Sequence, residues 1–140
     1  MMRNALAAAA LAAAWLPAHG AGDAARGEMV YERCAACHSL AADRTGPRHC
    51  GLIGRKAGTV PGFEYSNAMK RSGITWDARS LERFIAAPLA AVPGTAMGYD
   101  GVKDPGERAD LIAWLIRAQR SAECARSLII ELPSPKDPRP

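Results

Sequence analysis

The most informative segment of this sequence is Cys34-Ala35-Ala36-Cys37-His38. Two cysteines separated by two residues and followed at once by a histidine form C-x-x-C-H, the attachment signature of a c-type haem. On a helix, Cys34, Cys37 and His38 occupy positions i, i+3 and i+4, so their side chains project to one side. The two thiols can then bond to the haem vinyl groups, and the imidazole is left as proximal iron ligand.

Two other kinds of site also use closely spaced cysteines. A structural zinc site would need a second C-x-x-C or paired histidines, and neither is present. The remaining cysteines, Cys50 and Cys124, are far apart in the chain. A thioredoxin-like redox pair follows a strand in an α/β chain, whereas no segment here predicts a strand. The motif therefore predicts one covalent haem c.

The first twenty residues have the pattern of a secretory signal peptide. Arg3 gives a short positive start, residues 5–16 are an unbroken apolar run, and small residues surround a cleavage point expected after Gly20. A retained membrane anchor is the alternative, but an apolar run of this length is too short for a bilayer, which takes roughly twenty residues. We expect export to the periplasm, where cysteines meet oxidising conditions.

The length and composition favour one domain that contains a prosthetic group. A chain of 140 residues has room for a single core, but aromatic residues make up only 6%,. The formal charge is +4, or +3 once the signal is removed with Arg3. Basic residues are scattered among acidic ones with no long basic run, so nucleic acid binding is not predicted. We divide the chain into the signal at 1–20, a domain at 21–120 and a partly disordered extension at 121–140, ending in the Pro-rich residues 131–140.

The helix signals predict an all-α fold of three to five short helices joined by long loops. Caps are expected at Asp23 for the helix that carries the motif, at Asp77 for a helix that ends before Pro88, and at Asp104 for a helix running to about Arg120,. In the last, Glu107 is expected to bond back to the cap. Residues 66–71 predict a further short helix. Long loops in a compact domain suggest that a buried cofactor organises them.

The sixth iron ligand is sought among the methionines and histidines. Met97 lies in a loop bounded by Pro and Gly that is long enough to reach the face of the haem opposite His38. Met29 belongs to the motif helix, and Met69 lies in a short helix where core packing is the simpler role. His49 is the rival, but it follows a tight Gly-Pro turn close to His38. We predict Met97.

Several separated motifs occur in an order that resembles class I c-type cytochromes, the mitochondrial-type cytochromes c and their soluble bacterial relatives. The resemblance extends from residue 23 to residue 118. It is carried by residues 27–31, 34–38, 45–47, 51–55, 62–66, 73–76, 93–97 and 107–115. It implies the small cytochrome c fold wrapped around one covalently bound haem.

The resemblance also implies roles for particular residues. Pro47 would offer its carbonyl to the ring N–H of His38, and Thr95 would lie beside Met97. A buried propionate needs hydrogen-bond donors, and the resemblance assigns these to Arg55, Tyr65 and Trp76. Gly27 and Tyr31 would pack against Trp114 where two helices cross. Cys50 and Cys124 would be joined by a disulfide, because their regions lie close together in the family fold.

The implied function is that of a soluble, monomeric single-electron carrier with His38 and Met97 as axial ligands. It would meet membrane or periplasmic redox proteins by transient contact, would use no small-molecule substrate and would not be an enzyme. The alternatives are a subunit docked in a periplasmic oxidoreductase and a haem ligand-binding or sensor protein. The lysines that surround the haem edge in mitochondrial forms are mostly absent, with Leu89, Ala90 and Ala96 in their places.

The expected Cys50–Cys124 disulfide can be tested by counting thiols. The closed loop is long, so the bond should contribute roughly 2–4 kcal/mol to the free energy of unfolding. Thiol titration of the denatured, unreduced protein should find neither cysteine reactive, whereas two reactive thiols would contradict the pairing.

Overall fold

The computed structural model describes residues 22–130; the predicted signal and the Pro-rich tail lie outside the described residues. Within this part, six helices are joined by long loops: α1 Ala24–Ala35, α2 Asn67–Lys70, α3 Ala78–Ala86, α4 Pro88–Ala91, α5 Pro105–Ala118 and α6 Ala122–Ile130. Extended segments of residues 22–130 meet only in an isolated bridge between Lys56 and Thr75. The all-α class is confirmed. No helix in this region has the length and apolar character needed to cross a bilayer.

The helix starts follow the predicted caps. The Asp23 side chain accepts hydrogen bonds from the first-turn N–H groups of α1, and Asp104 does the same for α5. Asp77 forms a reciprocal capping box with Ser80 at the start of α3. These bonds satisfy backbone donors that have no partner inside a helix. The single turn α4, which begins at Pro88, was not predicted.

The prediction that the Glu107 side chain bonds back to the Asp104 cap is wrong. Its carboxylate instead lies 2.7 Å from Nη2 of Arg33 on α1, while its backbone N–H still donates to Asp104. The physical reason is tertiary: α1 brings a guanidinium within reach, and a charged partner is a stronger attraction than a neutral backbone N–H.

The main packing contact of the fold is the crossing of α1 and α5. Gly27 lies so close to α5 that an added Cβ would be 2.0 Å from the Asp110 carbonyl oxygen and 2.8 Å from Trp114 Cβ. Further along, the Tyr31 and Trp114 rings pack with their centroids 3.9 Å apart. The predicted packing of Gly27 and Tyr31 against Trp114 is confirmed. Any side chain at position 27 would force the helices apart.

One carboxylate fixes the start of α1 to α5. Asp110 accepts from the Asp23 backbone N–H at 2.6 Å and from Arg26 Nε at 2.7 Å, and its side chain is largely buried. The hydrogen bond from Arg26 and that from Asp23 lower the pKa of Asp110 below its ordinary value,. The ionised form is therefore the one that holds the two helices together.

The described part of the C-terminal extension is ordered as α6. The structure joins Cys124 of this helix to Cys50 in a disulfide with a Cα–Cα distance of 5.0 Å, and both residues are buried. Leu128 of α6 also lies against the loop at Gly51. The helix that follows α5 thus folds back onto the loop that follows the C-x-x-C-H motif.

Replacing Asp110 by Asn should lower the free energy of unfolding at neutral pH, because the amide cannot balance the Arg26 charge. The pKa of Asp110 is depressed in the folded state, so its contribution is complete above the ordinary value of about 3.8 and disappears as the pH falls through the folded value,. Denaturant unfolding of both proteins should therefore show a difference that shrinks in acid.

The control is Glu32→Gln, which changes an exposed α1 carboxylate with no ion-pair partner among residues 22–130. It should leave the free energy of unfolding nearly unchanged. A difference between wild type and Asp110→Asn that stays constant from neutral pH to below pH 3 would contradict the assignment.

Candidate haem site

The C-x-x-C-H motif lies across the C-terminal end of α1 rather than wholly on it. The helix ends at Ala35, and the N–H groups of Cys37 and His38 both donate to the Cys34 carbonyl, at 3.0 and 2.9 Å. The assumption of a continuous helix through His38 is therefore wrong, but this hydrogen-bonded turn keeps the three residues together. Cys34 is half-buried, Cys37 is exposed, and neither forms a disulfide.

One ring nitrogen of His38 is hydrogen-bonded, which leaves the other able to bind a metal. Its Nδ1 lies 2.7 Å from the Pro47 carbonyl oxygen, which can only accept, so Nδ1 carries the proton. Burial lowers the pKa of His38, although the hydrogen bond to Pro47 opposes this shift. A neutral imidazole with Nδ1–H bound to a carbonyl presents the Nε2 lone pair, which is how histidine commonly binds a metal.

Gly46 gives the His38 ring the space it occupies. A Cβ added at Gly46 would lie 2.3 Å from His38 Cε1 and 2.6 Å from each ring nitrogen. The glycine is also tied back to the motif, since its N–H donates to the Cys37 carbonyl at 2.8 Å. Only a residue without a side chain allows the 45–47 turn to approach the imidazole this closely.

A second histidine lies directly beside the first. The His49 ring stacks on the His38 ring with centroids 4.4 Å apart and planes inclined by 20°. Its Nδ1 lies 3.1 Å from the Tyr31 hydroxyl. Burial lowers the pKa of His49 well below its ordinary value, and the proximity of titratable His38 and cationic Arg55 acts in the same direction. Burial also raises the pKa of Tyr31. Both groups are therefore uncharged at neutral pH.

Sequence reasoning considered His49 only as a rival iron ligand and missed this stacked arrangement. The short separation from His38 signalled that the two rings could be close. Their stacking and the contact with Tyr31 depend on how the turn at 45–47 folds over the end of α1.

Backbone pairing joins two of the three predicted propionate donors, Arg55 and Trp76. The Trp76 N–H donates to the Arg55 carbonyl at 3.0 Å. The Arg55 guanidinium donates to the carbonyls of Cys50 and Arg48, at 2.9 and 3.0 Å. Burial raises the pKa of the Tyr65 phenol, and the nearby charge of Arg55 opposes the shift. The Arg55 charge thus acts on the Tyr65 phenol, whereas the Trp76 ring packs against Phe84 with centroids 5.1 Å apart. Arg55 itself is directed toward the loop that follows Pro47.

Thr95 and Met97 also lie together. The buried Thr95 hydroxyl oxygen accepts the Met97 backbone N–H at 3.3 Å, and the Thr95 N–H donates to the Val92 carbonyl at 3.0 Å. Met97 is half-buried and packs against the hydrophobic core. By contrast Met29 is 63% exposed, and Met69 is buried in the core as expected.

A cavity of about 510 Å³ lies between α2, α3 and α4. None of the candidate haem residues contributes to its walls, which are formed by Ala68, Arg71, Ser72, Ile74, Ser80, Arg83, Phe84, Ala91, Val92 and Pro93. Within residues 22–130, no cluster of three or more His, Cys, Asp or Glu side chains is arranged to hold a metal. The residues at the end of α1 have the chemistry that haem c requires: two free thiols and an oriented, neutral imidazole.

Comparison with known proteins agrees with the haem c chemistry that this donor set indicates. The chain is 46% identical over 101 residues to cytochrome c2 of Rhodomicrobium vannielii, covering 70% of this chain and 81% of the relative. The chain belongs to the class I c-type cytochromes. It is 47% identical over 108 residues to cytochrome c2 of Blastochloris viridis, covering 75% of this cytochrome and 84% of the relative. No family model matches it.

The fold agrees with a solved structure of the same family. Cytochrome cH from Methylobacterium extorquens superposes with a TM-score of 0.67 at 42% identity, covering 69% of this cytochrome and 99% of that chain. The resemblance stated from the sequence is therefore confirmed. This cytochrome carries one covalently bound haem c and is an electron-transfer protein.

Gly46→Ala should destabilise the cytochrome, because the added methyl group would overlap the His38 ring. Overpacking of this kind costs roughly 1–3 kcal/mol. We expect a lower midpoint in denaturant unfolding of the haem-loaded protein and a changed absorption spectrum. Gly98→Ala is the control, since a Cβ there meets nothing within 4 Å. Equal behaviour of the two variants would refute the steric argument.

Proposed function

We propose that this cytochrome is a single-electron carrier whose haem is bonded to Cys34 and Cys37 and ligated by His38 and Met97. When bound, haem c supplies an iron that gains or loses one electron. The observation that carries the proposal is the 2.7 Å contact from His38 Nδ1 to the Pro47 carbonyl. It fixes the tautomer that a metal-binding imidazole needs and makes Nε2 more basic.

Met97 is the proposed sixth ligand. Thr95 supports this role by accepting the Met97 N–H, which restrains the backbone beside the thioether. A soft thioether sulfur favours ferrous iron and thereby raises the reduction potential. Met29 is exposed on α1 and Met69 is part of the core, so neither competes with Met97 for the role.

Arg55, Tyr65 and Trp76 are the proposed partners of a haem propionate. A carboxylate removed from water needs hydrogen-bond donors or a positive charge to stay ionised. The Arg55 guanidinium supplies a positive charge, and the Tyr65 phenol and Trp76 indole supply hydrogen-bond donors. The positions of Arg55 and Trp76 are coupled through the backbone bond from Trp76 to Arg55.

The proposed partners are membrane or periplasmic redox proteins that the cytochrome meets one at a time. Such contacts are small and brief, because a carrier must leave each partner after the electron has moved. The surface of residues 22–130 mixes charges of both signs, as in the pairs Arg33–Glu107 and Arg117–Glu28. We propose a monomer that is exported to the periplasm and acts on no small-molecule substrate.

The ligand proposal is tested by comparing absorption spectra of the wild type, Met97→Ala and Met29→Ala. The ferric wild type should show the weak methionine–iron charge-transfer band. Met97→Ala should lose it, because the proposed sulfur ligand is gone, and the reduced variant should take up carbon monoxide.

Met29→Ala is the matched control, since it removes an exposed methionine that lies on α1. It should keep the band and resist carbon monoxide. Persistence of the band in Met97→Ala would overturn the ligand assignment, and carbon monoxide binding by the reduced wild type would favour the sensor alternative.

A further inference from the structure

The half-buried His49 imidazole has no role in the electron transfer proposed above. Its ring lies on one face of the His38 ring, with centroids 4.4 Å apart and planes inclined by only 20°. Near-parallel rings at this distance are in stacking contact. His38 is thus bounded by the Pro47 carbonyl at Nδ1, by Gly46 near Cε1 and by His49 across a face.

The His49 ring is itself held from the opposite direction. The Tyr31 hydroxyl lies 3.1 Å from His49 Nδ1, and the two rings meet edge to face at 5.6 Å. Tyr31 is in turn fixed by Trp114, whose ring lies 3.9 Å away at the crossing of α1 and α5. A continuous contact therefore runs from the helix crossing through Tyr31 and His49 to His38.

The backbone of His49 is also tied at both of its polar groups. Its N–H donates to the carbonyls of Ser39 and Leu40, at 3.0 and 3.1 Å. Its carbonyl accepts from Nε2 of Gln119 at 3.1 Å. The next residue is Cys50, which the disulfide links to α6. The ring of His49 is therefore presented to His38 by a backbone with little freedom.

We infer that His49 is a positioning residue, which sets the plane of the His38 imidazole by stacking against its face. The inference rests on the proposed function, in which His38 ligates the haem iron. The hydrogen bond to Pro47 fixes the position of Nδ1, but the imidazole can still rotate about the line that joins Nδ1 to the Pro47 oxygen. A flat aromatic neighbour in contact with one face opposes that tilt.

The plane of an axial imidazole can be measured without any activity assay. In ferric low-spin protein it orients the iron orbitals that carry unpaired spin, so it decides how far each haem methyl proton resonance is shifted. The pattern of these four resonances in the proton NMR spectrum is therefore the readout. A variant that only loosens the protein would lower its unfolding midpoint without reordering the pattern.

Two substitutions separate stacking from hydrogen bonding at position 49. His49→Phe keeps an aromatic face for His38 but cannot bond to Tyr31. His49→Gln can still accept from the Tyr31 hydroxyl but has no ring. We expect His49→Phe to keep the wild-type order and spread of the methyl resonances, and His49→Gln to shift them.

A wild-type pattern in His49→Gln would overturn the inference, and so would equal shifts in both variants. Should His49→Gln yield no folded haem protein, His49→Leu decides, because it fills the site with an apolar side chain but offers no flat ring to His38. A shifted pattern in His49→Leu then supports the inference, and a wild-type pattern overturns it. A wild-type protein that lacks haem absorption or is high-spin would instead refute the proposed ligation.

Discussion

The close crossing of α1 and α5 at Gly27 is the constraint on which the site depends. Because the glycine has no side chain, the α1 backbone lies against the Asp110 carbonyl, and Tyr31 can pack on Trp114 one turn later. The direction of α1 is thereby fixed, and with it the position of its C-terminal end. That end carries Cys34 and leads directly into His38.

The loops then gather around the end of α1. The turn at Gly46 and Pro47 closes on the His38 ring, and His49 closes on the same ring from one face. The Cys50–Cys124 disulfide and α6 hold this loop from outside. Long irregular segments are tolerated here because their polar groups find partners in the motif, in Gln119 and in each other.

Much of the local structure could be read from single residues. Asp23, Asp77 and Asp104 cap helices because a short carboxylate next to a helix start reaches the free N–H groups, and this depends only on near neighbours. The exception was Glu107, whose partner Arg33 belongs to another helix. The motif was equally readable, since the spacing of two thiols and an imidazole is set by covalent chemistry with the haem.

The helical class, the helix starts and the haem-bearing motif could be predicted without a structure, because each depends on residues a few positions apart. The family resemblance named Pro47, Thr95 and the donors near Arg55. The resemblance also implied the Cys50–Cys124 pairing, but the helix α6 that carries Cys124 and the stacking of His49 on His38 are seen only in the folded protein. The stacking depends on how the 45–47 turn folds over the end of α1, and the α6 contact joins segments distant in the chain. Both therefore exist only once the crossing of α1 and α5 has set where each segment lies.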